Sequence, residues 1–242
     1  AVFGSSFGDT LTGDGGAKTP NPTPTLIKDA PAAVAVASGT GFNCGLAKDG
    51  TAWCIGSNST GQLGIGTLMV PDTGMMESHK ALKVVDLNDG VAITAGAWHS
   101  CVLRKTGHIV CWGMGHLGRL GNGSYANAFK PSQVALIDDA VFVEAGESST
   151  CAVRKDGSVW CWGDNGGGQL GLGNQFNTNA PAKVLNVADA VRVACGKQHA
   201  CALLRNGEVR CWGNNGNGQL GLGYVKQNEV VLTAKTVLGS LP

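Results

Sequence analysis

Cysteine is the residue type best placed to do chemistry in this chain of 242 residues, and eight of its nine cysteines fall into four equally spaced pairs. The pairs are Cys44 with Cys54, Cys101 with Cys111, Cys151 with Cys161, and Cys201 with Cys211. Nine intervening residues do not make the two-to-four-residue knuckle of a structural zinc site. The chemistry this spacing allows is oxidation to a disulfide, provided that the chain brings each pair face to face.

A hairpin does so. Between each pair lies a turn ending in glycine: Lys48-Asp49-Gly50, Lys105-Thr106-Gly107, Lys155-Asp156-Gly157 and Arg205-Asn206-Gly207. In the third copy a three-residue loop, with Gly157 supplying positive φ, pairs Arg154 with Ser158. Val153 then faces Val159, Ala152 faces Trp160, and Cys151 faces Cys161. Directly opposed strand residues hold their Cβ atoms close enough for a disulfide. Closing each short loop contributes about 2 to 3 kcal/mol by the chain-entropy estimate. Four such bridges imply an oxidising compartment, so the expected location is secreted, periplasmic or cell-surface. Cys195 has no counterpart, since Ser38, Ala95 and Ala145 occupy its place. It reads as an unpaired thiol, either a small buried residue or a bridge to another chain.

The hairpins belong to a longer repeat. Cys44 to Gly66, Cys101 to Gly123, Cys151 to Gly173 and Cys201 to Gly223 align without gaps, at steps of 57, 50 and 50 residues. Periods of this size signal stacked supersecondary units. Each unit holds an apolar run ending in glycine (Ala33 to Gly39, Val91 to Gly96, Val141 to Gly146, Val191 to Gly196), the two cysteine strands, and a shorter run such as Ala182 to Leu185. Apolar residues occupy both faces of these strands, as in Ser158-Val159-Trp160-Cys161-Trp162, so the strands are expected to be covered on both sides.

The expected fold is therefore all-β, a β-propeller of four-stranded antiparallel blades. One continuous array over 1–242 is divided into a partial repeat at 1–32 and repeats at about 33–90, 91–140, 141–190 and 191–242. The partial repeat rests on Val2-Phe3-Gly4 and Gly13-Asp14-Gly15, which resemble Cys161-Trp162-Gly163 and Gly171-Leu172-Gly173. The stretch Thr19 to Pro24 is an extended connection, because proline fixes φ and restricts its predecessor. Four repeats and a fraction describe either an incomplete arc with edges that recruit another chain or a segment of a larger ring.

The unit Gly196-Lys197-Gln198-His199-Ala200-Cys201-Ala202-Leu203, followed by Cys211-Trp212-Gly213-Asn214 and Gly218-Gln219-Leu220-Gly221-Leu222-Gly223, resembles the repeat of the regulator of chromosome condensation family. That resemblance implies a propeller, commonly of seven blades, offering the loops of a rigid ring to a partner. Nucleotide exchange on a small GTPase follows from the resemblance alone, and disulfides argue against that role because it is performed in a reducing compartment.

Composition narrows the function. Charged residues make up 14% and the net charge is +1 with no basic cluster, so no electrostatic footprint for nucleic acid is present. No apolar run is long enough for a membrane span. The N-terminus lacks the pattern of a secretory signal, so a signal is expected to have been removed or to lie outside this sequence.

The glycine-rich Gly166-Gly167-Gly168-Gln169-Leu170-Gly171 lacks the lysine ending of a phosphate loop and reads as a turn. His99 and His199 share their repeat position with Phe42 and Ser149, which favours packing over catalysis. Trp112, Trp162 and Trp212 recur at blade spacing and are expected between blades, as are Trp53 and Trp160. No paired carboxylates, nucleophile elbow or metal cluster emerges from the motifs, and neither a catalytic residue, a metal nor a cofactor is assigned.

The candidate partner contacts lie where the copies differ. Trp98 is the only aromatic at its repeat position. Thr67 to His79 carries a seven-residue insertion with Met69, Met75 and Met76, either an adaptable binding loop or an ordinary surface insertion. The reading is a non-catalytic extracellular or periplasmic binding or scaffold module, with a protein or further copies of its own assembly as partner. A secreted enzyme inhibitor or a propeller-borne hydrolase is the alternative.

Overall fold

A computed structural model of the chain describes Ile27 and residues 30–239. Every regular element there but one 3-10 turn (His116–Gly118) is a strand. Sixteen strands form four antiparallel sheets, each with its strands in chain order. The first blade holds β1 (Ala33–Gly39), β2 (Phe42–Ala47), β3 (Ala52–Ser57) and β4 (Glu77–Lys83); the second, β5 (Gly90–Ala95), β6 (His99–Arg104), β7 (Ile109–Gly113) and β8 (Ala128–Gln133). The third holds β9 (Ala140–Ala145), β10 (Ser149–Arg154), β11 (Val159–Gly163) and β12 (Thr178–Lys183); the fourth, β13 (Ala190–Cys195), β14 (His199–Leu204), β15 (Val209–Asn214) and β16 (Val230–Thr236). The first strands pack side by side in the order β1, β5, β9, β13, the arrangement of propeller blades around an axis.

The expected hairpin register is present. Cys151 pairs with Cys161, Ala152 with Trp160 and Val153 with Val159. Arg154 N–H donates to Ser158 O at 2.9 Å, and Gly157 has φ 75°. Since Arg154 and Ser158 exchange a hydrogen bond, the alternation of an antiparallel ladder makes the cysteine pair, three places on, a non-hydrogen-bonded pair with close Cα atoms. The four Cα–Cα separations are 4.0 to 4.1 Å, and all four disulfides are formed.

The fourth strand departs from the expected bounds. It runs Thr178–Lys183 and not Ala182 to Leu185, so it starts four residues earlier and leaves Val184 and Leu185 outside. Apolarity misled here. The ladder begins on the polar Thr178, paired with Gly163, while Val184 is buried beyond the strand's end among blade-packing residues.

The core is a series of layers between blades. Phe42, Cys44, Leu46 and Cys54 of the first blade meet Val102, Val110 and Trp112 of the second; Cys101, Leu103 and Cys111 meet Ala152 and Trp162; Cys151, Val153 and Cys161 meet Ala200, Ala202 and Trp212. The first three disulfides therefore lie on the face turned towards the following blade. The partial repeat at 1–32 lies almost wholly outside the described residues. Of it, Ile27 packs on Trp53 and Ile55, as Val84, Val134 and Val184 pack with the tryptophan of the next blade.

Candidate binding face

The antiparallel order puts the loops between first and second strands, and those between third and fourth, at one end of every blade. That end is the mouth on which the sequence candidates converge. Trp98, in the β5–β6 loop, is half-exposed, and its carbonyl accepts from Met114 N–H at 2.9 Å. Met69, Met75 and Met76, in the β3–β4 loop, are all exposed. The insertion is a knuckle pinned by Val70, which is buried in the core while its N–H donates to Met75 O and its carbonyl accepts from Gly74 N–H. The turn thus points its methionines outward.

The corresponding loops of the other blades also carry large exposed apolar side chains that the sequence reading did not single out. Tyr125 is 56% exposed, Phe176 79% and Val225 66%, with Tyr224 beside the last. An apolar side chain therefore recurs on this face at blade spacing. Single exposed apolar residues are ordinary on a protein surface; Met75, Tyr125, Phe176 and Val225 are alike in their place in the blade.

Buried asparagines hold these loops, and sequence reasoning missed them as well. Asn165 Nδ2 donates to Asn174 O and Phe176 O, and its Oδ1 accepts from Leu170 N–H at 2.9 Å. Asn58 likewise donates to Thr67 O and Leu68 O and accepts from Leu63 N–H. Asn215 donates to Tyr224 O and accepts from Leu220 N–H. The signal was the asparagine in Trp212-Gly213-Asn214-Asn215 and its copies. The second repeat breaks it with Gly115, whose N–H donates to Asn127 Oδ1 as Asn165 N–H does to Asn177 Oδ1.

The remaining sequence candidates are structural. Trp112, Trp162 and Trp212 are fully buried between blades. Trp160 is half-buried, with the Arg154 guanidinium 5.4 Å from its ring centre. The Gly166–Gly171 stretch is a turn closed by Gly168 N–H to Asn165 O and Gly171 N–H to Gly168 O. His99 is fully buried, and its Nε2 lies 2.9 Å from Thr150 Oγ1. The Thr150 hydroxyl donates to Arg119 O, so it accepts from His99 Nε2–H. Burial, with the Arg119 charge nearby, lowers the His99 pKa to about 3 and keeps the ring neutral. His199 is half-exposed, its pKa also lowered by burial.

Arg119, in the place of Gln62, Gln169 and Gln219, is buried. Desolvation lowers its pKa against the pull of the Asp164 and Glu147 carboxylates.

Nearer the axis, a shallow cavity of about 300 Å³ is lined by Ser38, Thr40, Ala97, Glu147 and Cys195 among others. Its rim is laced by backbone bonds from Thr40 N–H to Ala97 O and from Ala97 N–H to Glu147 O. Cys195 is half-buried and outside any disulfide, with its thiol 3.7 Å from Glu144 O. Burial, together with the Glu144 carboxylate, pushes its pKa up and keeps it protonated. A protonated thiol is a poor nucleophile. Among the described residues no three potential ligands gather to hold a metal ion, and no helix is long and apolar enough to cross a membrane.

Sheets, layers and loop face together define a repeat β-propeller. Two models of the regulator of chromosome condensation (RCC1) repeat match the chain, one at residues 33–62, 91–119, 140–169 and 190–219, the other at 106–153 and 156–203. The chain belongs to that family. The RCC1 domain-containing protein RUG3, mitochondrial, of Arabidopsis thaliana is 32% identical over 142 residues, covering 55% of this chain and 30% of that protein. The human E3 ubiquitin-protein ligase HERC2 is 35% identical over 101 residues, 42% of this chain and 2% of that one. Among solved structures, yeast RCC1 (Prp20) bound to Kap60 superposes with a TM-score of 0.78 at 23% identity, over 99% of this chain and 56% of that one. Human WBSCR16 gives 0.69 at 25% identity, over 83% and 50%. The chain thus spans less than a third of the length of these curated relatives and about half of these solved chains.

Proposed function

We propose that this chain is a non-catalytic protein-binding arc of an RCC1-type propeller, acting in an oxidising compartment and gripping a protein partner with one mouth. The observation that carries this reading is the series Met75, Tyr125, Phe176 and Val225, exposed at blade spacing on loops of which buried asparagines hold the first, third and fourth in place. The yeast RCC1 structure is itself a complex with a protein, Kap60, which supports a protein as the ligand. The oxidising location is supported by the four disulfides.

A larger ring is part of the proposal. Cys44, Cys101 and Cys151 are fully buried by the following blade, whereas Cys201 is half-exposed and Leu203, at the place of the buried Val153, is 40% exposed. A further blade on this face would bury both.

The test is capture of partners by the immobilised chain, compared with a Tyr125→Ala/Phe176→Ala/Met75→Ala variant of unchanged melting temperature. Expected is at least a tenfold loss of affinity for the captured protein. A variant that binds as well as the parent overturns the assignment of this face.

A further inference from the structure

We propose that Asp189, at the opposite end of the fourth blade, is a guanidinium-binding site that takes an arginine side chain of a protein partner. The internal repeats supply the comparison. In the second blade Arg104 Nε donates to Asp89 Oδ1 at 2.7 Å, and in the third Arg154 Nε donates to Asp139 Oδ1. Each pair joins the last residue of the second strand to the residue just before the first. In the fourth blade the carboxylate persists as Asp189, but the arginine's place is taken by Leu204, which pairs with Ala190 as Arg154 pairs with Ala140. Among the described residues no cation lies within ion-pair distance of Asp189.

Two further observations coincide with that exchange. Leu204 is buried in the blade core, and the space beside it is a cavity of about 500 Å³ lined by Ala188, Asp189, Leu204, Arg205, Glu208 and Arg210. The other charges there are largely committed: Arg210 Nε donates to Glu208 Oε1 at 2.7 Å, Arg210 Nη1 to Asn186 O, and Thr236 Oγ1 to Glu208 Oε1. Arg205 replaces Lys105 and Lys155, so its positive charge is no novelty of this blade. Asp189 also takes a left-handed backbone, φ 56°, which Asp89 and Asp139 do not. The carboxylate that lost its internal partner is the one whose backbone departs from the repeat. Arginine suits the site better than lysine because its planar fork can meet both carboxylate oxygens, as a point charge cannot.

This inference is independent of the loop-face reading, because it concerns the other end of the blade and is tested without the natural partner. The blocked peptide acetyl-Gly-Arg-Gly-amide is titrated into the whole chain while backbone amide resonances are followed. Saturable shifts at Asp189, Leu204 and Arg205 are expected, with weaker binding of the lysine analogue and at least a fivefold loss in Asp189→Asn. Leu204→Arg should restore the internal pair and abolish peptide binding. Unchanged peptide affinity in Asp189→Asn overturns the proposal. So does a response to inorganic phosphate in place of the peptide, which would assign the cavity to Arg205 and Arg210. Should Leu204→Arg fail to fold, the Asp189→Asn comparison decides alone.

Discussion

The indole N–H of Trp212 donates to the carbonyl oxygen of Gln169 across the blade boundary at 2.8 Å. Trp162 does the same to Arg119 O and Trp112 to Gln62 O, so one contact per boundary sets the stacking distance. The glycine two residues after each acceptor is required by the same ring. A Cβ on Gly64, Gly121 or Gly171 would come within 2.6 to 2.9 Å of the indole, and all three have φ near +67°. Trp212→Phe should therefore cost about 1 to 3 kcal/mol through the orphaned buried carbonyl, and Trp212→Ala about 3 to 5 kcal/mol. Urea unfolding followed by circular dichroism measures both. A Phe variant as stable as the parent would show that the indole hydrogen bond contributes nothing.

Opposition of Cys151 and Cys161 closes a short loop in a layer already dry. Replacing both with alanine should lower stability by about 2 to 3 kcal/mol, and non-reducing peptide mapping of the parent should recover four hairpin-linked pairs with Cys195 as the free thiol. Cys201–Cys211, with Cys201 half-exposed, should be reduced first as a dithiol reductant is raised. Simultaneous reduction of all four bridges would contradict the burial gradient.

The blades were legible in the sequence because their constraints are local and repeated. Turn, register and disulfide all follow from counting across Lys155-Asp156-Gly157, and the Gly-Gln-Leu-Gly turn recurs. The edges of β12 were not, since Thr178 and Asn179 enter the ladder as polar residues while Val184 earns its burial from the neighbouring blade. At the binding face, Trp98 and the methionines stood out by breaking the pattern. Phe176 and Tyr125 escaped notice because each is an ordinary loop residue in isolation, and they form a series only once the blades share a mouth. The exchange of Arg154 for Leu204 was likewise visible but meaningless until Asp139 was seen beside Arg154.

Phe176 is presented by a loop whose carbonyls are gathered by the Asn165 side-chain amide, with Gln175 Nε2 donating to Gly166 O beside it. Asn165→Ala leaves Asn174 and Phe176 carbonyls and the Leu170 N–H without that partner, at a cost of about 1 to 3 kcal/mol. The loss should be local: amide exchange in residues 172–178 should accelerate at least tenfold while β10 and β11 keep their protection. Uniform acceleration over the whole blade would show that Asn165 supports the sheet and not the loop.

His99 makes stability depend on pH in a direction that can be worked out. Its pKa is lowered to about 3 in the folded chain against 6.5 for the free side chain, so above pH 6.5 neither state binds the proton and the ring adds no pH dependence. Between pH 6.5 and 3 the unfolded chain takes up a proton that the folded chain refuses, and stability falls as pH falls, by up to about 1.4 kcal/mol per pH unit. Below pH 3 both states are protonated and the loss levels off. The comparison that isolates this group is His99→Phe, since Phe42 fills the same place in the first blade and is fully buried there. Thr150 keeps its donation to Arg119 O in that variant. The urea midpoint of the parent should drop more steeply than that of His99→Phe between pH 6.5 and 4.5, with the two curves parallel above pH 7. Parallel curves over the whole range would mean that the buried imidazole accepts a proton without opening the blade boundary.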